Sequence, residues 1–128
     1  MTEEEKNKLI LARIAKAEES FDTGDEISAA HPTFAVNRYY YSLFYAVSAL
    51  LLYYDTPVRT HKGVITEFNK QLVKTGTFTR EEGKLFAKMF QWRNRGDYDD
   101  YTEFTVEDVE SIRLPVREFI DKVKETIE

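Results

Sequence analysis

Apolar residues recur at helical spacing along the whole chain, and no stretch of four or more residues alternates in the manner of a half-buried strand. The pattern predicts an all-α protein of about five helices. Thr2, with Glu5 three residues on, forms a capping box for a first helix that carries Leu9, Ile10, Ile14, Ala17 and Phe21 inward. Thr23-Gly24-Asp25 weakens that helix, although Glu26 to Ala30 has the composition to continue it. His31-Pro32-Thr33 is the firmer break, because a residue before proline avoids helical geometry and Pro32 can open the next helix.

That second helix is expected from about Phe34 to Tyr54. Its stretch from Tyr39 to Tyr54 is interrupted only by Ser42 and Ser48, which marks it as the central, nearly enclosed helix of the bundle. It falls short of the roughly 20 residues needed to cross a bilayer, and Arg38 and Asp55 flank it closely, so no membrane span is expected. Thr60 is a natural cap for a third helix, His61 to about Lys74, with Val64, Ile65, Phe68 and Leu72 inward and Gly76 closing it. Thr79 with Glu82 opens a fourth helix expected to reach Arg95 and stop at Gly96. After a polar loop, Thr105 with Asp108 caps a fifth helix with Val109, Ile112, Val116, Ile120 and Val123 inward. Pro115 is expected to bend this last helix or mark its start.

The 128 residues suit one domain around one core, residues 1–128. No cysteine is present, which removes disulfide scaffolds, thiolate nucleophiles and Cys-ligated zinc together. The N-terminus is acidic where a secretory signal would be basic and then apolar, so a cytoplasmic location is expected. The net charge of −5 conceals an asymmetry. From Arg59 to Arg95 nine cations stand against three anions, while Gly96 to Glu110 holds seven acids and no Lys or Arg. The basic segment is either a phosphate-binding face or charge neutralised by the neighbouring acidic loop.

Trp92 to Tyr101 is the candidate site. Counting back from Arg93 by three, four and seven residues gives Phe90, Met89 and Phe86, so this guanidinium leaves the apolar face of its helix and must find an acceptor in protein, water or ligand. One reading makes Arg93 a clamp on the last helical turn, paired with Asp97 or Asp99; another makes it a ligand contact. Tyr98 and Tyr101 either plug the bundle's end or offer stacking surfaces. His61 either helps form an anion site at its helix start or packs on the second helix, bonded to a tyrosine or a carbonyl. His31 reads as structural. Asn37, Arg38 and Tyr41 are expected to form a polar network within the bundle. Two distant histidines without cysteine give no metal signature, and no cofactor is expected.

Three segments together resemble the HEPN superfamily (higher eukaryotes and prokaryotes nucleotide-binding), in its small single-domain prokaryotic branch. They are Asn37-Arg38-Tyr39-Tyr40-Tyr41 with Phe44, Thr60-His61-Lys62-Gly63-Val64, and Arg93 followed by Gly96-Asp97-Tyr98. The resemblance spans about Arg13 to Ile127. It implies an up-and-down helical bundle, commonly a homodimer whose fourth-helix junctions line a shared cleft. It also implies a toxin–antitoxin or defence-type module, in which the partner is a nucleotidyltransferase-like protein. Active members are metal-independent ribonucleases whose motif is an arginine, usually a polar residue next, and a histidine after four to six residues. Arg93 and Asn94 match the first half, but Tyr98, Asp99 and Asp100 stand where the histidine would fall.

Tyrosine is a poor base near neutral pH, and Asp99 could act as a base but not readily as the matching acid. The expectation is therefore a cleft that engages a nucleotide or RNA phosphate through Arg93, Asn94, Asp97 and Tyr98, with His61 and Lys62 beside them. Arg93 is catalytic only if the chain is a ribonuclease with altered acid–base residues, for which His61 would have to lie beside Arg93. The remaining alternative is a non-catalytic module whose cleft is filled by its nucleotidyltransferase-like partner.

Overall fold

The computed structural model describes residues 1–128 as five α-helices without a strand. α1 (Glu3–Ile27) begins at the expected capping box, with Thr2 Oγ1 accepting from Glu5 N–H and Glu5 Oε1 accepting from Thr2 N–H, both at 3.1 Å. Gly24 does not weaken it. A β-carbon there would stand 2.9 Å from the Tyr39 ring, so the glycine lets α1 and α2 close on each other while the helix continues to Ile27.

α2 (Pro32–Tyr53) starts on its proline, two residues before the expected Phe34, and is followed after its cap Tyr54 by Asp55, the one non-glycine residue with positive φ (59°). α2 packs on the other four helices, and its apolar run is buried from Ala46 through Leu52. No helix is long and apolar enough to cross a membrane.

α3 (His61–Phe68) is shorter than the sequence pattern suggests. It passes into a π-helical turn, Asn69–Val73, where Lys74 N–H reaches back five residues to Asn69 O. The chain still turns at Gly76, at φ +86°. α4 (Arg80–Tyr98) opens at the Thr79–Glu82 capping box but does not stop at Gly96. Gly96 keeps helical geometry, and a β-carbon on it would press on Thr33 Cγ2 at 3.2 Å and the Phe104 ring at 3.4 Å. The glycine serves close approach, not chain reversal, and the extra turn places Asp97 and Tyr98 on the helix rather than in the loop.

α5 (Val106–Ile127) opens at the Thr105–Asp108 capping box and retains Pro115 in its interior, on the exposed side where the freed carbonyl meets water. Phe119, which the sequence pattern did not single out, joins Phe68, Phe78 and Phe86 in an aromatic box with centroid separations of 5.2–6.2 Å. Phe86 also stacks on Tyr40 of α2. The box thereby ties the core to the face of α2 where the site lies.

Candidate functional site

Arg93 does emerge from the buried side of α4, and its side chain is only 11% exposed. It crosses to α2, where Nη2 donates to the Tyr41 hydroxyl at 2.8 Å, while Nη1 donates to Asn94 Oδ1 at 2.9 Å. Nε lies 3.1 Å from Asp97 Oδ2, yet its N–H is not aimed along that line and has no hydrogen-bond partner. The contact is Coulombic. The guanidinium carbon sits 5.3–5.7 Å from the rings of Tyr40, Tyr41 and Tyr98, within cation–π range.

Asp97 is therefore the clamp partner that the sequence offered together with Asp99. It also accepts from Asn37 Nδ2 at 3.0 Å, and Asn37 Oδ1 accepts from Arg38 Nε and Nη2 at 3.0 and 2.9 Å. This orders the amide unambiguously and extends the expected Asn37–Arg38–Tyr41 network across to α4, at the half-buried edge of the bundle and not within it. Asp99 is committed elsewhere. Its carboxylate accepts from Tyr101 N–H and Thr102 Oγ1, and the Tyr101 amide above all holds its pKa below the ordinary range. Such a carboxylate cannot supply a proton near pH 7. Tyr98 and Tyr101 are 75% and 95% exposed, so neither plugs the bundle.

His61 follows the packing reading, with a consequence the sequence could not give. The cap at Thr60 starts α3 against α2, so that the imidazole meets Phe44 at 4.5 Å and Phe90 at 6.1 Å, and Nδ1 lies 2.7 Å from the Tyr40 hydroxyl. Tyr40 is fully buried, and burial pushes its pKa upward, so its O–H must donate, and Nδ1 is its acceptor. The proton of neutral His61 then resides on Nε2, which makes no bond within the chain and is not buried. Arg93 and His61 thus share one tyrosine cage, close enough that burial first and the Arg93 charge second lower the His61 pKa.

Of the remaining expected members, one joins the cage and one stands apart. Asn94 orients Arg93 through Nη1, and Lys62 lies on the next face, in a shallow groove with Ile65, Phe90 and Gln91. Of the acids from Asp97 to Glu110, only Asp97 pairs with a cation of the basic segment. Asp99, Asp100 and Glu103 line an adjoining cleft with His31 and Phe34, which Asp97 also borders. No group of three His, Asp or Glu side chains is placed to hold a metal.

Titration of this cage has a defined sign. The unfolded chain takes up a proton on His61 at the ordinary value near 6.5 while the folded chain resists, so stability falls as pH drops below 6.5 toward the folded value. Glu18 and Asp25, whose pKa values Arg117 and Arg113 respectively hold low, add a second loss below the ordinary carboxylate range. Thermal unfolding followed against pH is expected to show both declines, with the upper one absent from His61→Phe.

The HEPN domain family matches residues 11–126 of this chain. A UPF0332 protein of Thermotoga maritima is 44% identical over 94 residues, covering 73% of this chain and 71% of that protein. Two proteins of Methanocaldococcus jannaschii bear the name "Putative toxin". One is 33% identical over 112 residues, 87% of this chain and 76% of its own length. The other is 34% identical over 95 residues, 73% and 69%. A five-helix bundle with an arginine-centred polar cage between its second and fourth helices, matched over nearly its whole length, belongs to the HEPN domain family.

Proposed function

We propose that this chain is the toxin-type component of a two-protein module and that it engages a nucleotide or RNA phosphate at the Arg93–His61 cage. The observation that carries the reading is the meeting of Arg93 and His61 around Tyr40 and Tyr41, from helices that approach one another only in the fold. Arg93 brings a fixed positive charge, and the outward Nε2–H of His61 brings a neutral donor. Tyr98, exposed beside Arg93, offers a ring on which a base can stack.

The relatives named as toxins support the module reading, in which the free end of α4 would face a second copy of the chain or a nucleotidyltransferase-like partner. Titration with uridine monophosphate by calorimetry tests the site. His61→Phe keeps the aromatic packing and removes the donor, and is expected to weaken binding by about tenfold. Equal binding by both proteins would reject His61 as a phosphate contact.

A second reading has its own support. The fold supplies a histidine at the site although none stands at positions 98 to 100. In an active ribonuclease, Arg93 would stabilise charge on the phosphate, and the imidazolium form of His61 would give its Nε2 proton to the leaving oxygen and return to the neutral imidazole, while the proton of the attacking 2′-hydroxyl passes to water. Cleavage of a single-stranded RNA would then survive a chelator and disappear in His61→Phe. Cleavage retained by that variant would sink this reading.

A further inference from the structure

Charge on this bundle is unevenly satisfied. Arg113 and Arg117 are held by carboxylates at 2.7 Å, whereas Arg13, Lys16, Arg38 and Arg59 make no ion pair. Arg38 belongs to a stripe of α2 formed with Tyr41, Tyr45 and Ser48 at helical spacing, and Arg13 and Lys16 of α1 and Arg59 of the segment before α3 flank that stripe. Arg38 covers the Tyr41 ring at 5.1 Å, Lys16 stands 5.6 Å from the Tyr45 ring, and the two tyrosine rings lie 6.0 Å apart, all partly exposed.

Beyond Tyr45 the stripe opens into a groove of about 380 Å³, walled by Arg13, Lys16 and Arg59, floored by Phe44 and Tyr45, and lined by no carboxylate. Arg13 donates to Ser48 O at 3.3 Å, and burial alone lowers its pKa, with no anion to offset it. The other end of the stripe is the cage itself, since Tyr41 accepts from Arg93 and Phe44 packs on His61.

A row of unneutralised cations beside exposed aromatic faces, running for about 15 Å along one helix, matches one ligand chemistry well. Single-stranded nucleic acid offers both phosphates for the cations and free base faces for the tyrosines; a duplex offers the phosphates but keeps its base faces stacked. We propose that this stripe is a track for single-stranded RNA, with phosphates on Arg13, Lys16, Arg38 and Arg59 and a base against Tyr45, leading the strand past Tyr41 to Arg93. The proposal rests on the reading of Arg93 and His61 as a phosphate site.

The test is fluorescence anisotropy of a short fluorescein-labelled single-stranded RNA over a range of KCl, with uridine monophosphate titrated separately. Lys16 and Arg59 are exposed and make no hydrogen bond or ion pair, so Lys16→Ala with Arg59→Ala is expected to leave the circular dichroism spectrum unchanged. It should weaken RNA binding about tenfold or more and lower the slope of log affinity against log salt by about 1 to 1.5. Tyr45→Leu should weaken RNA binding about tenfold with the salt slope unchanged. Neither variant should alter binding of uridine monophosphate. RNA bound by the double variant with wild-type affinity and salt slope would overturn the track, as would a duplex bound as tightly as the single strand. Failure of uridine monophosphate to bind, with RNA binding still sensitive to Lys16, Arg59 and Tyr45, would instead remove the phosphate site and leave the track standing.

Discussion

Arg93→Ala is expected to lose about ten- to a hundredfold in affinity for uridine monophosphate, the scale of losing charge-assisted hydrogen bonds to a phosphate. It is also expected to lower the free energy of unfolding by about 1–3 kcal/mol. Removing a mostly buried cation leaves Asp97 and Tyr41 without it, but the 25% exposure of Asp97 lets water screen what remains. A single variant therefore confounds fold with function. Asp97→Asn separates them, because it loosens the same clamp while keeping the guanidinium.

If Arg93 only braces the end of α4, Asp97→Asn should cost binding as Arg93→Ala does. If the guanidinium meets the ligand, removing its competing carboxylate should leave phosphate binding equal or tighter. Comparison of the two variants by calorimetry, with chemical denaturation run in parallel, decides the matter. Weaker binding in Asp97→Asn at unchanged stability would count against the proposed site.

Phe86→Ala is expected to have the largest effect on stability, about 3–5 kcal/mol, with a fall in Tm of roughly 10–20 °C. Phe86 is fully buried and touches Phe68, Phe119 and Tyr40, so truncation opens a cavity that three helices border and none can readily fill. The effect should extend to the cage. Tyr40 stacks on Phe86 and holds His61 Nδ1, so the orientation of the imidazole depends on the integrity of the aromatic box. The His61 resonances of a folded Phe86→Leu protein are expected to shift in NMR spectra, while residues of the α1 N-terminus remain in place. Unchanged His61 resonances would show that the cage is held independently of the core.

Where sequence reading succeeded, the information was local. Three capping boxes placed helix starts at Thr2, Thr79 and Thr105 because a side chain three residues away satisfies the free amides of a first turn, whatever packs nearby. Spacing from Phe86 to Arg93 likewise placed the guanidinium on the buried side of α4, since helical periodicity needs no partner to be read. Where it failed, the deciding neighbour lay far along the chain. Gly24 and Gly96 look like helix breakers in isolation, but each is a point of close approach, to Tyr39 in one case and to Thr33 and Phe104 in the other. The π-turn after Phe68 has no signal in composition at all.

The candidate site divides along the same line. Arg93, Asn94 and Asp97 could be named from the chain because they lie within one helical turn of each other. His61 could be named too, yet whether it lies beside Arg93 depends on how α3 and α4 both seat on the tyrosine face of α2. The stripe through Arg38, Tyr41 and Tyr45 was readable as a helical face, but its missing counterions were not, since ion pairing joins residues as far apart as Glu18 and Arg117. The amino-acid order by itself determined an all-helical chain, its caps and its buried arginine, because backbone hydrogen bonding and periodicity act over a few residues. Only the tertiary structure decided which cation pairs with which acid and which histidine faces Arg93, because electrostatic contact depends on distance through space, which the order of residues does not specify.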